Sequence, residues 1–234
     1  NWEPTIGRTN ENPPTTFNTA YDPDEKTYVF YDSVRNILYH DLENDNSDYF
    51  KNNGSIVRNK YVNHPALTNA TNIWTIDQDS RTIETLGVEN TIDLYSYLSG
   101  AYDYYLNSIG LTSYDGNGGL ICAFVRDAYG NENNSFCNGP FSKIVLLSFG
   151  NKEPLYYDLV GHEYTHSIQG NLVHSMPYKG ESGALKEGYA DIGGFLSELY
   201  NTNYTDWRFK KMPDGTYERD IANPPSLSIG SSPY

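Results

Sequence analysis

Two histidines stand four residues apart in the stretch LVGHEYTHSIQG, with a glutamate directly after the first of them. On a helix with about 3.6 residues per turn, His162 and His166 point in similar directions and could offer ring nitrogens to one metal ion. Glu163 would then lie beside the metal, where a carboxylate can take a proton from a bound water. The pattern predicts a zinc site. The alternative is a solvated helix face, because HExxH alone matches many unrelated proteins.

A second acidic helix offers the further ligand that such a site needs. Catalytic zinc commonly takes three protein ligands and leaves one position for water. In ESGALKEGYADIGGFLSELY, the residues Glu187, Asp191 and Glu198 fall at offsets of four and seven, so their carboxylates share one helix face. We expect Glu187 to be the third ligand and Asp191 to accept the N–H of a ligand histidine. Lys186 cannot accept a hydrogen bond when charged, so it is not expected to orient a histidine.

With further motifs, this pattern resembles the thermolysin-like family of zinc metallopeptidases. The motifs are VGHEYTH, ESGALKEGYADI, AYDYYLNSIGLTSYDGNGG, NNSF and RDIANP, and they span most of the chain from about Trp74. The resemblance implies that Glu163 is the general base. It also implies that one catalytic zinc is held by His162, His166 and Glu187.

The resemblance implies roles for residues around the zinc ligands as well. Asp191 matches an aspartate that orients a histidine, and Tyr178 matches a tyrosine that helps to stabilise the tetrahedral intermediate. Arg219 matches an arginine that contacts substrate and supports the pocket. Asn134 and Ser135 match an edge strand that pairs with the bound peptide. The implied function is a zinc-dependent endopeptidase that hydrolyses proteins or peptides with a metal-activated water and a glutamate base.

The chain departs from the family where family members commonly bind calcium. Asp158 and Glu198 are expected to face each other, and Asp206 follows, but Arg208 and Lys211 occupy positions where the family often has acids. A fixed guanidinium or ammonium could replace the charge of the ion, so we expect the calcium site to be lost or reduced. The alternative is that both cations point to solvent.

No part of the sequence matches the helical second half of the family, which completes the cleft. The chain is therefore expected to be the first part of a peptidase, with a separate C-terminal chain as a candidate partner that completes it. The alternative to an active endopeptidase is a catalytically incomplete fragment or a non-catalytic metal- or peptide-binding module.

The elements around the site are predicted to form an α+β fold with a β-rich N-terminal lobe over residues 1–153. Strand-forming segments such as KTYVFYD, NILYHDL, GLICAFV and KIVLLSF alternate there with polar turns. One long helix interrupts them, because apolar residues recur at spacings of three and four from Ile92 to Ile109 and Gly110 supplies a stop.

Residues 154–234 are predicted to contain the HExxH helix, through about Gln169, and the second metal-ligand helix, from about Ser182 to about Tyr200. The last stretch, ERDIANPPSLSIGSSPY, is rich in Pro, Ser and Gly without periodicity and is expected to be an irregular loop.

The two cysteines suggest a disulfide. Cys122 and Cys137 flank a segment with Gly130-Asn131 near its midpoint, as a hairpin turn would lie, so a cross-strand bond is predicted. Such a bond points to an oxidising compartment, and the chain is expected to be secreted or extracellular. Two free thiols are the alternative.

Charge and hydropathy exclude two classes of partner. The formal net charge is −14, from 16 Lys and Arg against 30 Asp and Glu, which disfavours binding to a phosphate backbone. No apolar run approaches the roughly 20 residues of a membrane-spanning helix. We therefore expect neither nucleic acid nor a membrane as partner.

Overall fold

The structure of the chain is a computed structural model. It describes residues 2–10, 13–42, 66–75, 83–127, 136–141, 144–150, 155–173, 176–211 and 215–223. Asn134, Ser135 and the last eleven residues of the predicted C-terminal loop, 224–234, lie outside the described residues. None of the helices found in the described ranges is long and apolar enough to cross a membrane.

Three helices occur within these residues, and all three were predicted. They are α1 (Ile83–Ile109), α2 (Tyr157–Leu172) and α3 (Gly180–Thr202). The predicted ends of the second and third helices differ by two or three residues from those observed, and the first helix starts earlier than predicted. Helix α1 forms because its apolar residues follow the helical period, with Leu94, Leu98 and Ala101 fully buried. It ends where Gly110 takes a positive φ of 74°, a conformation that costs glycine little.

Two five-stranded sheets account for most of the β structure. The strand order is β6-β3-β2-β1-β7 in the first sheet and β4-β5-β8-β10-β9 in the second. Their bounds are β1 (Glu3–Thr9), β2 (Thr16–Asp22), β3 (Thr27–Val29), β4 (Tyr31–Asp32), β5 (Ile37–Asp41), β6 (Thr68–Asn69), β7 (Ile73–Trp74), β8 (Leu120–Asp127), β9 (Phe136–Phe141) and β10 (Ile144–Gly150). Strand β1 runs antiparallel to β2 and parallel to β7, and β5 runs parallel to β8. The mixed α+β class that the sequence predicts is confirmed.

The predicted disulfide is absent from the structure. Cys122 is a buried free cysteine in β8. The hairpin prediction is wrong because β9, which contains Cys137, does not pair with β8; strand β10 lies between them. Strands two positions apart in a sheet are separated by about 9.5 Å, whereas a disulfide joins Cα atoms no more than about 7 Å apart.

A short hairpin occupies part of the stretch that was expected to be irregular. Strands β11 (Arg208–Lys211) and β12 (Tyr217–Asp220) pair antiparallel, with Phe209 opposite Arg219 and Arg208 opposite Asp220. The prediction of a loop is therefore wrong for residues 218–220. The Pro and Ser content that suggested it lies further along the chain.

The chain divides into two compact units. The first consists of Asn1–Tyr95, Leu120–Phe136 and Leu146–Lys152, and the second of Ser96–Gly119, Cys137–Val145 and Glu153–Tyr234. The last junction lies beside the predicted boundary after residue 153, but the division also falls within α1. The first unit has an aromatic core in which Phe30 stacks on Phe17 and meets the ring of Trp74 edge-on. The second unit contains α2, α3 and the β11–β12 hairpin.

Candidate metal centre

Helices α2 and α3 approach each other so closely that glycine is required where they meet. A Cβ added to Gly194 would lie 2.3 Å from the carbonyl oxygen of Asp158, and one added to Gly161 would lie 2.9 Å from the Cα of Gly194. Neither neighbour is a flexible side chain that could move away. The close packing brings the HExxH residues of α2 within reach of the acidic face of α3.

The three predicted ligands meet across this contact. The two Nε2 atoms of His162 and His166 lie 3.0 Å apart, and each lies 3.2 Å from a carboxylate oxygen of Glu187. Within the described part of the chain, this is the only group of three or more metal-binding side chains whose ligand atoms lie within 4.8 Å of one another. Two imidazole nitrogens and one carboxylate oxygen match the donor set of a catalytic zinc site with an open position.

Asp191 holds the first histidine by hydrogen bonding to the ring nitrogen that faces away from the ligand group. The Nδ1 of His162 lies 2.8 Å from Oδ1 of Asp191. A carboxylate only accepts, so Nδ1 donates, and Nε2 is the nitrogen that could give up its proton to bind a metal. Burial lowers the pKa of His162, but its hydrogen bonds to Asp191 and Glu187 outweigh this and raise the pKa to about 9. The predicted orienting contact of Asp191 is present.

Arg219 approaches the same carboxylate from the β11–β12 hairpin. Its guanidinium donates two hydrogen bonds to Asp191, from Nε at 2.8 Å and from a terminal nitrogen at 2.7 Å. It also lies over the ring of Phe209, with 4.1 Å from the guanidinium carbon to the ring centroid. The structure thus places Arg219 in support of Asp191.

Glu163 is buried within the second unit, as a base protected from bulk water would be. Burial raises the pKa of this carboxyl, and the charges of His162 and His166 lower it only in part. A carboxylate with a raised pKa accepts a proton more readily near neutral pH.

Tyr178 lies at the ligand group, although more than half of its side chain is exposed. Its hydroxyl donates a hydrogen bond to Oε1 of Glu187. Burial alone would raise the pKa of Glu187, but hydrogen bonds from the two histidines and from Tyr178 bring it well below its usual range. Glu187 is therefore an anion whose oxygens face the histidine nitrogens.

Aromatic residues that the sequence analysis did not single out pack against the ligand group. The ring of Phe209 lies 4.9 Å from the ring of His162, centroid to centroid. The ring of Phe195 packs against two further rings: its centroid lies 6.3 Å from that of Phe209 and 5.4 Å from that of Trp207. The available signal was the apolar residue set among cations in RFKK, which is typical of a strand with one buried face.

The acids assigned to the calcium site are partly assembled. Burial raises the pKa of Glu198, and the charges of Asp158 and Asp206 raise it further, while a hydrogen bond from Thr205 opposes them. Among the described side chains, however, these three acids do not form a group with ligand atoms within 4.8 Å.

The cations expected to replace calcium lie at the two ends of β11. Arg208 is half-exposed and pairs with Asp220 across the hairpin at 3.6 Å. Its guanidinium also lies 5.4 Å from the ring centroid of Tyr217. The guanidinium of Arg208 thus pairs with an acid of β12, whereas its backbone N–H donates to Asp206 at 2.9 Å. Whether these cations replace calcium stays a prediction. The side chain of Lys211 lies outside the described atoms.

Comparison with known sequences identifies the family. A family model described as "Thermolysin metallopeptidase, catalytic domain" matches residues 5–169. The chain is 37% identical over 120 residues to a thermolysin from Alicyclobacillus acidocaldarius, a match that covers 50% of this chain and 21% of that protein. It is 35% identical over 136 residues to a zinc metalloproteinase from Listeria monocytogenes, covering 56% and 24%. These matches thus span less than a quarter of the length of either relative.

Comparison with solved structures agrees at the level of fold. The precursor of protealysin, a metalloproteinase from Serratia proteamaculans, aligns with a TM-score of 0.51 and 19% identity, over 75% of this chain and 48% of that chain. The family match covers most of the chain and includes both histidines and the glutamate between them. The chain therefore belongs to the thermolysin metallopeptidase family.

Proposed function

We propose that this chain is the zinc-binding part of an endopeptidase that hydrolyses peptide bonds in peptides or proteins. The observation that carries the proposal is the convergence of His162, His166 and Glu187 on one point, with Glu163 buried on the same turn of α2. A solvated helix face would not bury a glutamate between two oriented histidines. The family match supports the same activity.

The residues present fit one zinc ion, and each has a distinct task. A bound zinc would lower the pKa of its water and polarise the scissile carbonyl. Glu163 takes the proton from the attacking water and passes it to the leaving amine. Tyr178 can turn its hydroxyl away from Glu187 and donate a hydrogen bond to the oxyanion that develops on the carbonyl oxygen. Asp191 and Arg219 keep His162 in the tautomer that leaves Nε2 unprotonated.

Substrate binding is proposed to involve an edge strand and an arginine. An extended peptide would add as a strand beside Asn134 and Ser135, so that main-chain hydrogen bonds give affinity. Arg219 would contact the peptide with the N–H groups of its guanidinium that do not bond to Asp191 or Glu218. We further propose a secreted or extracellular location, which now rests on the family match and not on a disulfide, and a calcium requirement that is lost or reduced.

Cleavage of a quenched peptide library by the zinc-loaded chain tests the proposal, with Glu163→Gln as a variant of nearly identical shape. Removing the base should lower the rate on the order of 10²–10⁴-fold, as for other general bases. Zinc stoichiometry should stay the same, because Glu163 is not a ligand. Equal cleavage by both proteins would remove Glu163 from the mechanism. Stoichiometric zinc without any cleavage would point to an incomplete enzyme or a binding module.

A further inference from the structure

We propose that Gln169 positions His166 for metal binding, by fixing which ring nitrogen faces the ligand group. The inference deepens the proposed zinc centre and rests on it. The sequence offers Asp191 as the partner of one ligand histidine, which the structure shows to be His162. It offers none for the other, since Lys186 cannot accept a hydrogen bond. In the structure the partner comes from α2 itself, three residues after the histidine.

The amide of Gln169 bridges the two metal-bearing helices. Its Oε1 lies 3.1 Å from Nδ1 of His166, and its Nε2 donates to the backbone carbonyl oxygen of Lys186 at 3.0 Å. Lys186 directly precedes the ligand Glu187 on α3. One side chain thus contacts a ligand on α2 and the backbone beside the ligand on α3.

The partners of this amide determine its direction and the tautomer of the histidine. A backbone carbonyl only accepts, so the NH₂ group of Gln169 must face Lys186 and its oxygen must face His166. An amide oxygen also only accepts, so Nδ1 of His166 must carry a proton and donate it. The other nitrogen, Nε2, then faces Glu187 and His162, and it is the nitrogen that would bind a metal once its proton has left.

The two histidines are consequently supported by different chemistry. His162 donates to a carboxylate that is itself held by Arg219, whereas His166 donates to a neutral amide. Both arrangements direct Nε2 toward the point where a metal would bind. His166 therefore has an orienting partner even though a lysine precedes Glu187. The acceptor comes from Gln169 on α2 instead of from residue 186 on α3.

A purely structural explanation of Gln169 fits less well. The residue also lines a largely apolar pocket of about 440 Å³, together with Tyr105, Val173 and Ile192. Methionine or leucine could line that pocket equally well. The amide matters only for its two hydrogen bonds, and one of them ends on a ligand histidine.

Two variants separate orientation of the histidine from a simple tether between helices. Gln169→Met keeps the length of the side chain and removes both hydrogen bonds. Gln169→Glu keeps an acceptor for His166 but cannot donate to the carbonyl of Lys186. Zinc affinity is measured by competition with a chelator for the wild type and both variants, and the melting temperature without metal reports on folding.

If Gln169 positions His166, Gln169→Met should bind zinc about 10–100-fold more weakly, as for other partners of metal ligands. Gln169→Glu should bind at least as tightly as the wild type. In ¹⁵N-labelled, zinc-loaded protein, the Nδ1–H resonance of His166 should remain in Gln169→Glu and be lost to exchange in Gln169→Met.

Equally weakened zinc binding in both variants would show that Gln169 acts only by connecting α2 to α3, and this would overturn the inference. Unchanged zinc affinity in Gln169→Met would overturn it as well. Failure of the wild type itself to bind zinc would refute the proposed centre, and the inference would fall with it. The wild-type measurement therefore tells the two failures apart.

Discussion

Asp191 connects a predicted ligand on α2 with the β11–β12 hairpin. It accepts from the ring of His162 and from the guanidinium of Arg219. Replacing it by asparagine removes the charge that both partners face. We expect Asp191→Asn to weaken zinc binding about 10–100-fold, the usual effect of losing such a partner. Chelator competition measures this, and unchanged affinity would mean that the ligand geometry is set without Asp191.

The Glu198 carboxyl makes the free energy of unfolding depend on pH, and its surroundings determine the sign. Burial raises its pKa above the model-peptide value of 4.5, and the charges of Asp158 and Asp206 act in the same direction. The folded state therefore binds this proton more tightly than the unfolded state. The contribution of the protonated Glu198 carboxyl to the free energy of unfolding is complete below pH 4.5. It is lost as the pH rises through the pKa that Glu198 has in the folded state.

Glu198→Gln should therefore raise the free energy of unfolding at neutral pH and change it little at pH 4 or below. Urea denaturation at several pH values measures the difference. The expectation assumes that calcium does not neutralise these acids. A wild-type protein that gains more stability from added calcium than the variant would contradict it and show a working calcium site.

At the residue scale, the sequence predicts what depends on helical spacing and residue type. His162, His166 and Glu187 converge as their spacing on two helices indicated, and Asp191 lies beside them. Phe209 could not be predicted, because its contact with His162 depends on how a hairpin packs. The pairing of Arg208 with Asp220 could not be predicted for the same reason.

At the scale of elements, glycines set the distance between α2 and α3. A methyl group on Gly194 would meet the Asp158 carbonyl, whereas one on Gly188, in the same helix, would meet nothing within 4 Å. We expect Gly194→Ala to lower the free energy of unfolding by about 1–3 kcal/mol through overpacking. It should also weaken zinc binding, because the ligands lie on both helices.

Gly188→Ala is the matched control. Alanine is preferred over glycine inside a helix, so this variant should be about 0.5–1 kcal/mol more stable than the wild type. Urea denaturation of the two metal-free proteins provides the comparison. Equal effects of the two substitutions would show that helix propensity, and not close packing, explains these glycines.

The helices were predicted better than the order of the strands in the sheets. Helix α1 follows from apolar periodicity and a glycine stop, and α2 and α3 follow from residues at helical spacing, because these are local properties. Strand order is not local: nothing in the chain between Cys122 and Cys137 indicates that β10 separates β8 from β9. The disulfide prediction failed for that reason.

At the scale of the whole molecule, every proposed zinc ligand belongs to the second compact unit. A ligand that binds only the native state adds about 2.7 kcal/mol of stability at 100 times its dissociation constant. We expect zinc to slow hydrogen exchange of amides in α2 and α3 but to leave those in β1 and β2 little changed. Mass spectrometry with and without zinc measures both. Protection confined to the first unit would contradict the assignment.

The aromatic contacts beside His162 have an optical consequence. Of the three tryptophans, Trp207 alone belongs to the second unit, where it is linked to the His162 ring through Phe195 and Phe209. Trp2 and Trp74 belong to the first unit. A change in indole emission during a metal titration would therefore be assigned to Trp207, which makes the chain its own fluorescent reporter without an attached dye.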